Sequence, residues 1–320
     1  MPNAGKTALL VQILDEMLRQ NLVDPRIVDK AQEIRRSITS SGRPKAEGTF
    51  MADAPGKSAL ELTRYVPLLE IGRGGMGIVY KAKDKTLDRT VALKILPASL
   101  KKNARAVNTF LREAKAAAAL NHPNIVTIHD TGIQNGEYYI AMEYIDGFTL
   151  KEILKTQKKI PYHQALDVVR QIMEGLAYAH SKNIVHRDLT TNNVMWTRQK
   201  IVKIMDFGLA KVMKELLSEQ SIIGGTPSFM SPEQTVGKPI DHRTDIYSLG
   251  ICIYELVLGE LPFQKGDLGY HHLHTPPPVP KEVDPTIPEV LSGLILKCME
   301  KAPENRFQSI DELRAVFSKL

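Results

Sequence analysis

The stretch from Ile71 to Lys94 constrains this chain most. It reads I-G-R-G-G-M-G-I-V-Y and then, after a turn, V-A-L-K. Gly72, Gly74 and Gly77 fall at G-x-G-x-x-G spacing, where the absence of a Cβ lets main chain approach polyphosphate oxygens closely. Spacing alone does not separate a dinucleotide-binding turn from other phosphate loops. The flanks do. Val66, Leu68 and Leu69 precede the glycines and Ile78, Val79 and Tyr80 follow them, so strand enters the loop and strand leaves it. A Rossmann turn would leave as a helix. The segment is read as a lid over phosphates, with Lys94 on the next apolar run to pair with them.

A length of 320 residues allows two domains or one large bilobal one. The net charge of +6 is modest and its cations are scattered. Lys101-Lys102 and Lys158-Lys159 read as solvated faces, so no nucleic-acid partner is expected. No apolar run approaches the roughly 20 residues of a membrane span. Asp15, Glu16 and Arg19 interrupt the N-terminal apolar pattern, which excludes a secretion signal. Cys252 and Cys298 each sit in an apolar helical pattern and read as buried, reduced thiols. These features point to the cytoplasm.

Residues 1–38 are read as a helical region, a hairpin by its two amphipathic stretches: Leu10, Ile13, Leu14, Met17 and Leu18, then Ile27, Ala31, Ile34 and Ile38 after Asp24-Pro25. Gly5 to Thr7 has the tail of a Walker A loop without its upstream glycine or strand, and is read as chance. Residues 39–62, rich in Ser, Gly, Pro, Lys and Ala, are read as a flexible linker. Strands are expected over 65–70, 78–83, 90–95, 125–130 and 138–144, interrupted by an alanine-rich helix over 104–120. Helices are expected over 161–181, 245–257, 288–300 and 309–318, the last opened by a Ser309–Glu312 capping box. Strands first and helices later imply an α+β arrangement, a sheet lobe joined to a helical lobe with a ligand cleft between.

Downstream come H-R-D at His186 to Asp188 with Asn193 five residues after the aspartate, D-F-G at Asp206 to Gly208, and S-P-E at Ser231 to Glu233. With these motifs in this order, the chain resembles a eukaryotic-type (Hanks-type) protein kinase from about Tyr65 to Leu320. Gly224 to Gln234 and Pro303 to Phe307 look most like bacterial Ser/Thr kinases. The resemblance implies a small antiparallel-sheet lobe with one helix (63–144), a larger helical lobe (145–320), and ATP with Mg²⁺, or Mn²⁺ in its place, as cofactors. It assigns Lys94 to the α- and β-phosphates, Glu113 to Lys94, Asn193 and Asp206 to the metal, and Asp188 to the proton of a protein Ser/Thr hydroxyl. Ile71, Gly72, Arg73, Gly74, Gly75, Met76, Gly77 and Ile78 would cover the nucleotide. Val79, Ala92 and Met195 would sandwich the base, with Met142 behind it and the Glu143 and Ile145 main chain at its edge. His186 and Phe207 are expected to pack, Asp245 to anchor the catalytic loop, and Glu233 to pair with Arg306. Arg187 would order a phosphorylated activation segment, with Ser218 or Ser221 as acceptor and Thr226 bonded to the catalytic loop.

One position departs from the pattern. Ser/Thr kinases carry a lysine two residues after the catalytic aspartate, and Thr190 stands there with no cation from Leu189 to Asn193. This favours slow transfer, or an inactive nucleotide-binding scaffold as the competing reading. Phe229 stands where related kinases often have tyrosine. His271, His272 and His274 beside Pro276 to Pro278 are read as a solvent-exposed loop, not a metal site. Residues 1–38 are expected to regulate the kinase, to bind a partner, or to mediate self-association. Many bacterial members continue into a membrane span, whereas this chain ends at its last helix, so an intracellular or relayed stimulus is expected.

Overall fold

The computed structural model of the chain describes residues 64–74, 77–207 and 227–320, except for the side chains of Arg105, Thr109 and Glu113. The helical region over 1–38, the linker over 39–62, Gly75, Met76, and Ser218, Ser221, Gly224 and Thr226 lie outside the described residues.

The upper lobe is a five-stranded antiparallel sheet: β1 (Tyr65–Gly74), β2 (Gly77–Asp84), β3 (Arg89–Ile95), β4 (Ile128–Gln134) and β5 (Glu137–Glu143), in the order β1-β2-β3-β5-β4. Between β3 and β4 run a short helix α1 (Ala98–Lys101) and α2 (Ala104–Ala118). Side chains alternate across a strand, and β3 uses both faces. Val91, Leu93 and Ile95 pack with Tyr65, Ala82 and Ala141, while Ala92 packs with Val107 and Phe110 of α2 and with Met142. That accounts for an almost unbroken apolar run. β4 and β5 join through Asn135 and Gly136, both at positive φ (51° and 76°), as a two-residue hairpin requires.

The fourth strand starts later than its sequence indicates. Ile125 and Val126 are β-formers, but they are buried where the lobes meet. Their segment bonds Ile204 of the lower lobe instead, through Val126 N–H to the Ile204 carbonyl (2.9 Å) and Ile204 N–H to the Asn124 carbonyl (2.8 Å).

The lower lobe holds β6 (Gly147–Thr149), α3 (Leu150–Gln157), α4 (Tyr162–Ser181), β7 (Val194–Thr197), β8 (Val202–Ile204), α5 (Pro232–Thr235), α6 (Arg243–Leu258), α7 (Leu268–His274), α8 (Pro280–Val283), α9 (Glu289–Cys298) and α10 (Ile310–Phe317). α6 is apolar nearly all round and is buried along its length, which makes it the core helix. Cys252 and Cys298 are buried free thiols in that core. Among the described residues no helix is long and apolar enough to cross a membrane.

Two local expectations need correction. Ser309 caps α10, accepting from Glu312 N–H at 3.1 Å, but the Glu312 carboxylate accepts from Gln308 N–H at 2.6 Å, one residue before the cap. Reciprocal boxes form instead at Thr149 with Glu152, opening α3, and at Ser231 with Gln234, opening α5. The histidine run is a helix rather than a loop, because Asp267 caps α7 at Tyr270 N–H. His272 is fully buried there, with Nδ1 3.0 Å from the Tyr247 hydroxyl.

The start of β1 is clasped by charge. Arg64 bonds both Asp84 oxygens (3.0 and 2.9 Å) and Asp130 (3.2 Å), and the Arg64 bonds hold the Asp84 carboxyl down at about 2. A depressed carboxylate contributes stability that is present above its unfolded value and is lost as pH falls through its folded one. Thermal unfolding of the wild type should therefore become easier between about pH 4 and pH 2. The Asp84→Asn variant should lose part of that acid dependence; parallel pH profiles would contradict the assignment.

Candidate active site

The upper wall follows from sheet register. Val79 lies opposite Lys94 across β2–β3, and Ala92 lies opposite Met142 across β3–β5. Cross-strand partners share a face, so these four look toward the lower lobe together. Ala92, Met142 and Ile145 are buried in one cluster, with Val79 and Met195 of β7 packed against it. The apolar residues expected around a base are thus brought together. Behind them is a cavity whose lining includes Ile125, Val126, Ile140, Asp206 and Phe207.

Glu143 ends β5, where the chain passes between lobes, with its N–H on the Thr127 carbonyl at 2.9 Å. Its carboxylate accepts from Lys203 of β8 at 2.8 Å, a brace across the lobe junction that no sequence motif signals.

The glycine-rich loop is the β1–β2 hairpin, with Ile71, Gly72, Arg73 and Gly74 on one strand and Gly77, Ile78 and Val79 on the other. Gly77 differs from the other two. Gly77 has φ +135°, and a Cβ there would sit 2.2 Å from the Ile95 carbonyl oxygen. The sheet itself excludes a side chain at that point. Among the described residues, a Cβ at Gly72 would meet Val79 alone (3.9 Å) and one at Gly74 nothing within 4 Å. Arg73 is held by Glu70 at 2.8 and 2.7 Å, and both are exposed.

Below the cleft, the loop from His186 to Asn193 joins α4 to β7. Asp245, fully buried in the first turn of α6, accepts the N–H groups of His186 and Arg187 and faces His180 Nε2, each at 2.8 Å. Burial pushes this carboxyl up, but the His180 bond and the nearby imidazoles outweigh it and hold it below the usual range. Arg187 has φ +69°, an uncommon conformation for a residue with a long side chain. Its N–H on Asp245 and its carbonyl, which accepts from Gln234 Nε2 at 2.7 Å, fix it there. Sequence reasoning did not find Gln234, whose role depends on α5 folding back onto the loop.

Asn193 closes the loop. Its N–H donates to the Thr190 carbonyl (3.0 Å), and its amide nitrogen donates to the Asp188 carbonyl and to Asp188 Oδ2 (2.9 Å each). The amide oxygen is then the atom Asn193 can offer a cation. Met205 N–H bonds the Asn193 carbonyl at 2.8 Å, and His186 Nε2 lies 2.8 Å from the Met205 carbonyl. The His186 and Phe207 rings pack with centroids 4.6 Å apart. Asp206 follows at φ +57°, a conformation aspartate tolerates, and its Oδ1 accepts from Lys94 Nζ at 2.7 Å. Glu113 lies on α2 with its side chain outside the described ones, so the described partner of Lys94 is Asp206.

Burial pushes the Asp188 carboxyl up to about 6, and nearby Asp206 adds to this, against the lowering effects of His186 and the Asn193 bond. A carboxylate so placed can accept a proton near neutrality. Asp206 and Asn193 offer oxygen donors beside an ammonium group, a set that fits a hard divalent cation carrying phosphates. Thr190 is buried, and its hydroxyl has no partner among the described residues.

The family described as protein kinase domain matches residues 65–317. A probable serine/threonine-protein kinase of Clostridium perfringens is 40% identical over 262 residues, 80% of this chain and 38% of that protein. PknB of Mycobacterium leprae is 40% identical over 255 residues (77% and 41%), and PrkC of Bacillus subtilis 36% over 256 (79% and 40%). This chain therefore spans about two fifths of the length of these curated relatives. The crystal structure of the Mycobacterium tuberculosis PknI kinase domain is similar with a TM-score of 0.67 at 27% identity, covering 83% of this chain and 99% of that one. The chain belongs to the protein kinase domain family, among relatives that are bacterial serine/threonine-protein kinases.

Proposed function

We propose that this chain is an ATP-dependent serine/threonine protein kinase that phosphorylates protein hydroxyls, its own included. The observation that carries the reading is Asp188, held by Asn193 at two points and near enough to the Lys94–Asp206 pair for both charges to act on its carboxyl. Val79, Ala92, Met142, Ile145 and Met195 would enclose adenine, with the main chain of Glu143 and Ile145 at its edge and residues 71–78 above the phosphates. Lys94 would bind the α- and β-phosphates, with Glu113 to orient it. Asp188 would take the acceptor hydroxyl's proton as that oxygen bonds to the γ-phosphorus and ADP leaves. Asn193 and Asp206 would hold Mg²⁺ or Mn²⁺, which when bound neutralises charge between the β- and γ-phosphates. Ser218 and Ser221 are proposed acceptors, with Arg187 as the cation that would pair with the product. Residues 1–38 are proposed to dock on the kinase, on a partner or on a second copy. A cytoplasmic location is proposed from the sequence. Incubation with ATP and Mg²⁺, read by mass spectrometry beside an Asp188→Asn variant, tests the assignment. Phosphate on the wild type alone supports it, and none on either opposes it.

Thr190 favours a second reading, a nucleotide-binding scaffold of low activity. A threonine hydroxyl cannot neutralise the charge shared by γ-phosphate and nucleophile, and this one is buried without a partner among the described residues. Under the kinase reading, Thr190→Lys should raise turnover by about tenfold or more, since a missing electrostatic contact of this kind costs roughly 10²–10³ in rate. An unchanged or lower initial rate would show that Thr190 is not what limits transfer.

A further inference from the structure

We propose that Thr191, Glu255 and Lys151 form a relay that positions the second half of the catalytic loop, and through it Asp188 and Asn193. The inference rests on the phosphotransfer reading above. The first half of the loop is fixed by Asp245, which takes the N–H groups of His186 and Arg187. The second half, Leu189 to Asn193, is held from elsewhere.

Three bonds close a ring at Thr191. Lys151 N–H, in the first turn of α3, donates to the Thr191 carbonyl at 3.0 Å. The Thr191 hydroxyl donates to Glu255 Oε2 at 2.7 Å. The other Glu255 oxygen, Oε1, accepts from Lys151 Nζ at 2.5 Å. Thr191 and Glu255 are buried, while the Lys151 side chain is 32% exposed. A buried carboxylate is tolerated only when it is paired and hydrogen-bonded. Each corner of the ring therefore depends on the other two, and the Thr191 hydroxyl supplies a bond that valine cannot.

The ring reaches the reacting groups through Asn193. Thr191 lies inside the turn that Asn193 N–H closes on the Thr190 carbonyl, and the Asn193 amide nitrogen holds Asp188 at two points. A shift at Thr191 thus moves the proposed metal ligand and the proposed base together. Lys151 does not replace the cation missing at Thr190, because its ammonium is engaged by Glu255. Its part is to position, as are those of Glu255 and Thr191.

The test compares the full chain with Thr191→Val, Thr191→Ser and Glu255→Gln. In nucleotide-free protein, hydrogen exchange of the 188–193 amides should accelerate about tenfold in Thr191→Val while α6 amides keep their protection. The same variant should lose about tenfold in kcat, as sub-ångström misplacement of reacting groups does, with nucleotide affinity little changed. Thr191→Ser should restore both, and Glu255→Gln should resemble the valine variant. Wild-type exchange in Thr191→Val, equal losses in the valine and serine variants, or faster exchange throughout the lower lobe would each overturn the relay. Should Thr191→Val fail to fold, Lys151→Met opens the ring at its exposed corner, and loop exchange at the wild-type rate there overturns it. A wild type that transfers no phosphate defeats the kinase reading, and the exchange comparison still decides the relay.

Discussion

Lys94→Met is expected to lower phosphate transfer by roughly 10²–10³-fold with little change in thermal stability. Lys94 is buried on the cleft face of β3, and its ammonium is the group that meets Asp206 at 2.7 Å. Charge neutralisation preorganised in a cleft is where catalysis of this kind draws most of its rate. Methionine keeps the apolar stem and fills the same channel, so the sheet should stay intact. Initial rates and melting curves on one preparation check both halves. An unchanged rate would remove Lys94 from the site.

Arg306→Leu is expected to have the largest effect on stability, a loss of about 3–5 kcal/mol in denaturant unfolding. The guanidinium is fully buried and makes five hydrogen bonds. Two go to Glu233 (2.8 and 2.7 Å), and three go to the carbonyls of Glu300, Arg243 and Lys301 (2.8, 3.0 and 3.0 Å). Burial pushes the Glu233 carboxyl up, and the Arg306 bonds, with one from Thr244, more than reverse it. Removing only the cation leaves a buried carboxylate to be protonated or hydrated. Replacing Glu233 as well, in an Arg306→Leu and Glu233→Leu double variant, should recover much of the loss, because the uncompensated charge goes with it. A single-variant loss below about 1 kcal/mol, the range of exposed pairs, would contradict this.

The pieces legible in the sequence are those with a local cause. Runs of β-formers indicated the strands of the sheet lobe, and the order of His186–Asp188, Asn193 and Asp206 indicated the loop around the candidate site. Ile125 and Val126 misled because β-branched residues suit a buried lobe junction as well as a strand. β6, β7 and β8 are three or four residues long, too short for any period to register. The Thr149–Glu152 box has the local spacing that a sequence can show, whereas Glu312 reaches one residue beyond the expected cap. Gly77 shows a different gap: its position follows from the motif, but its necessity comes from Ile95, a strand away. The relay at Thr191 could not be read at all, since Glu255 lies 64 residues from Thr191 and 104 residues from Lys151 along the chain. Lys203 and Gln234 are hidden for the same reason.

Under the proposed function, Lys94, Asn193 and Asp206 grip a metal-bound triphosphate between the lobes, aimed at Asp188. Titration calorimetry of the purified chain with ATP, in the presence and absence of Mg²⁺, tests it most directly. Binding of one nucleotide should be saturable and should weaken sharply without the metal and in Asp206→Asn. No detectable binding with Mg²⁺ present, or binding indifferent both to the metal and to Asp206, would contradict it.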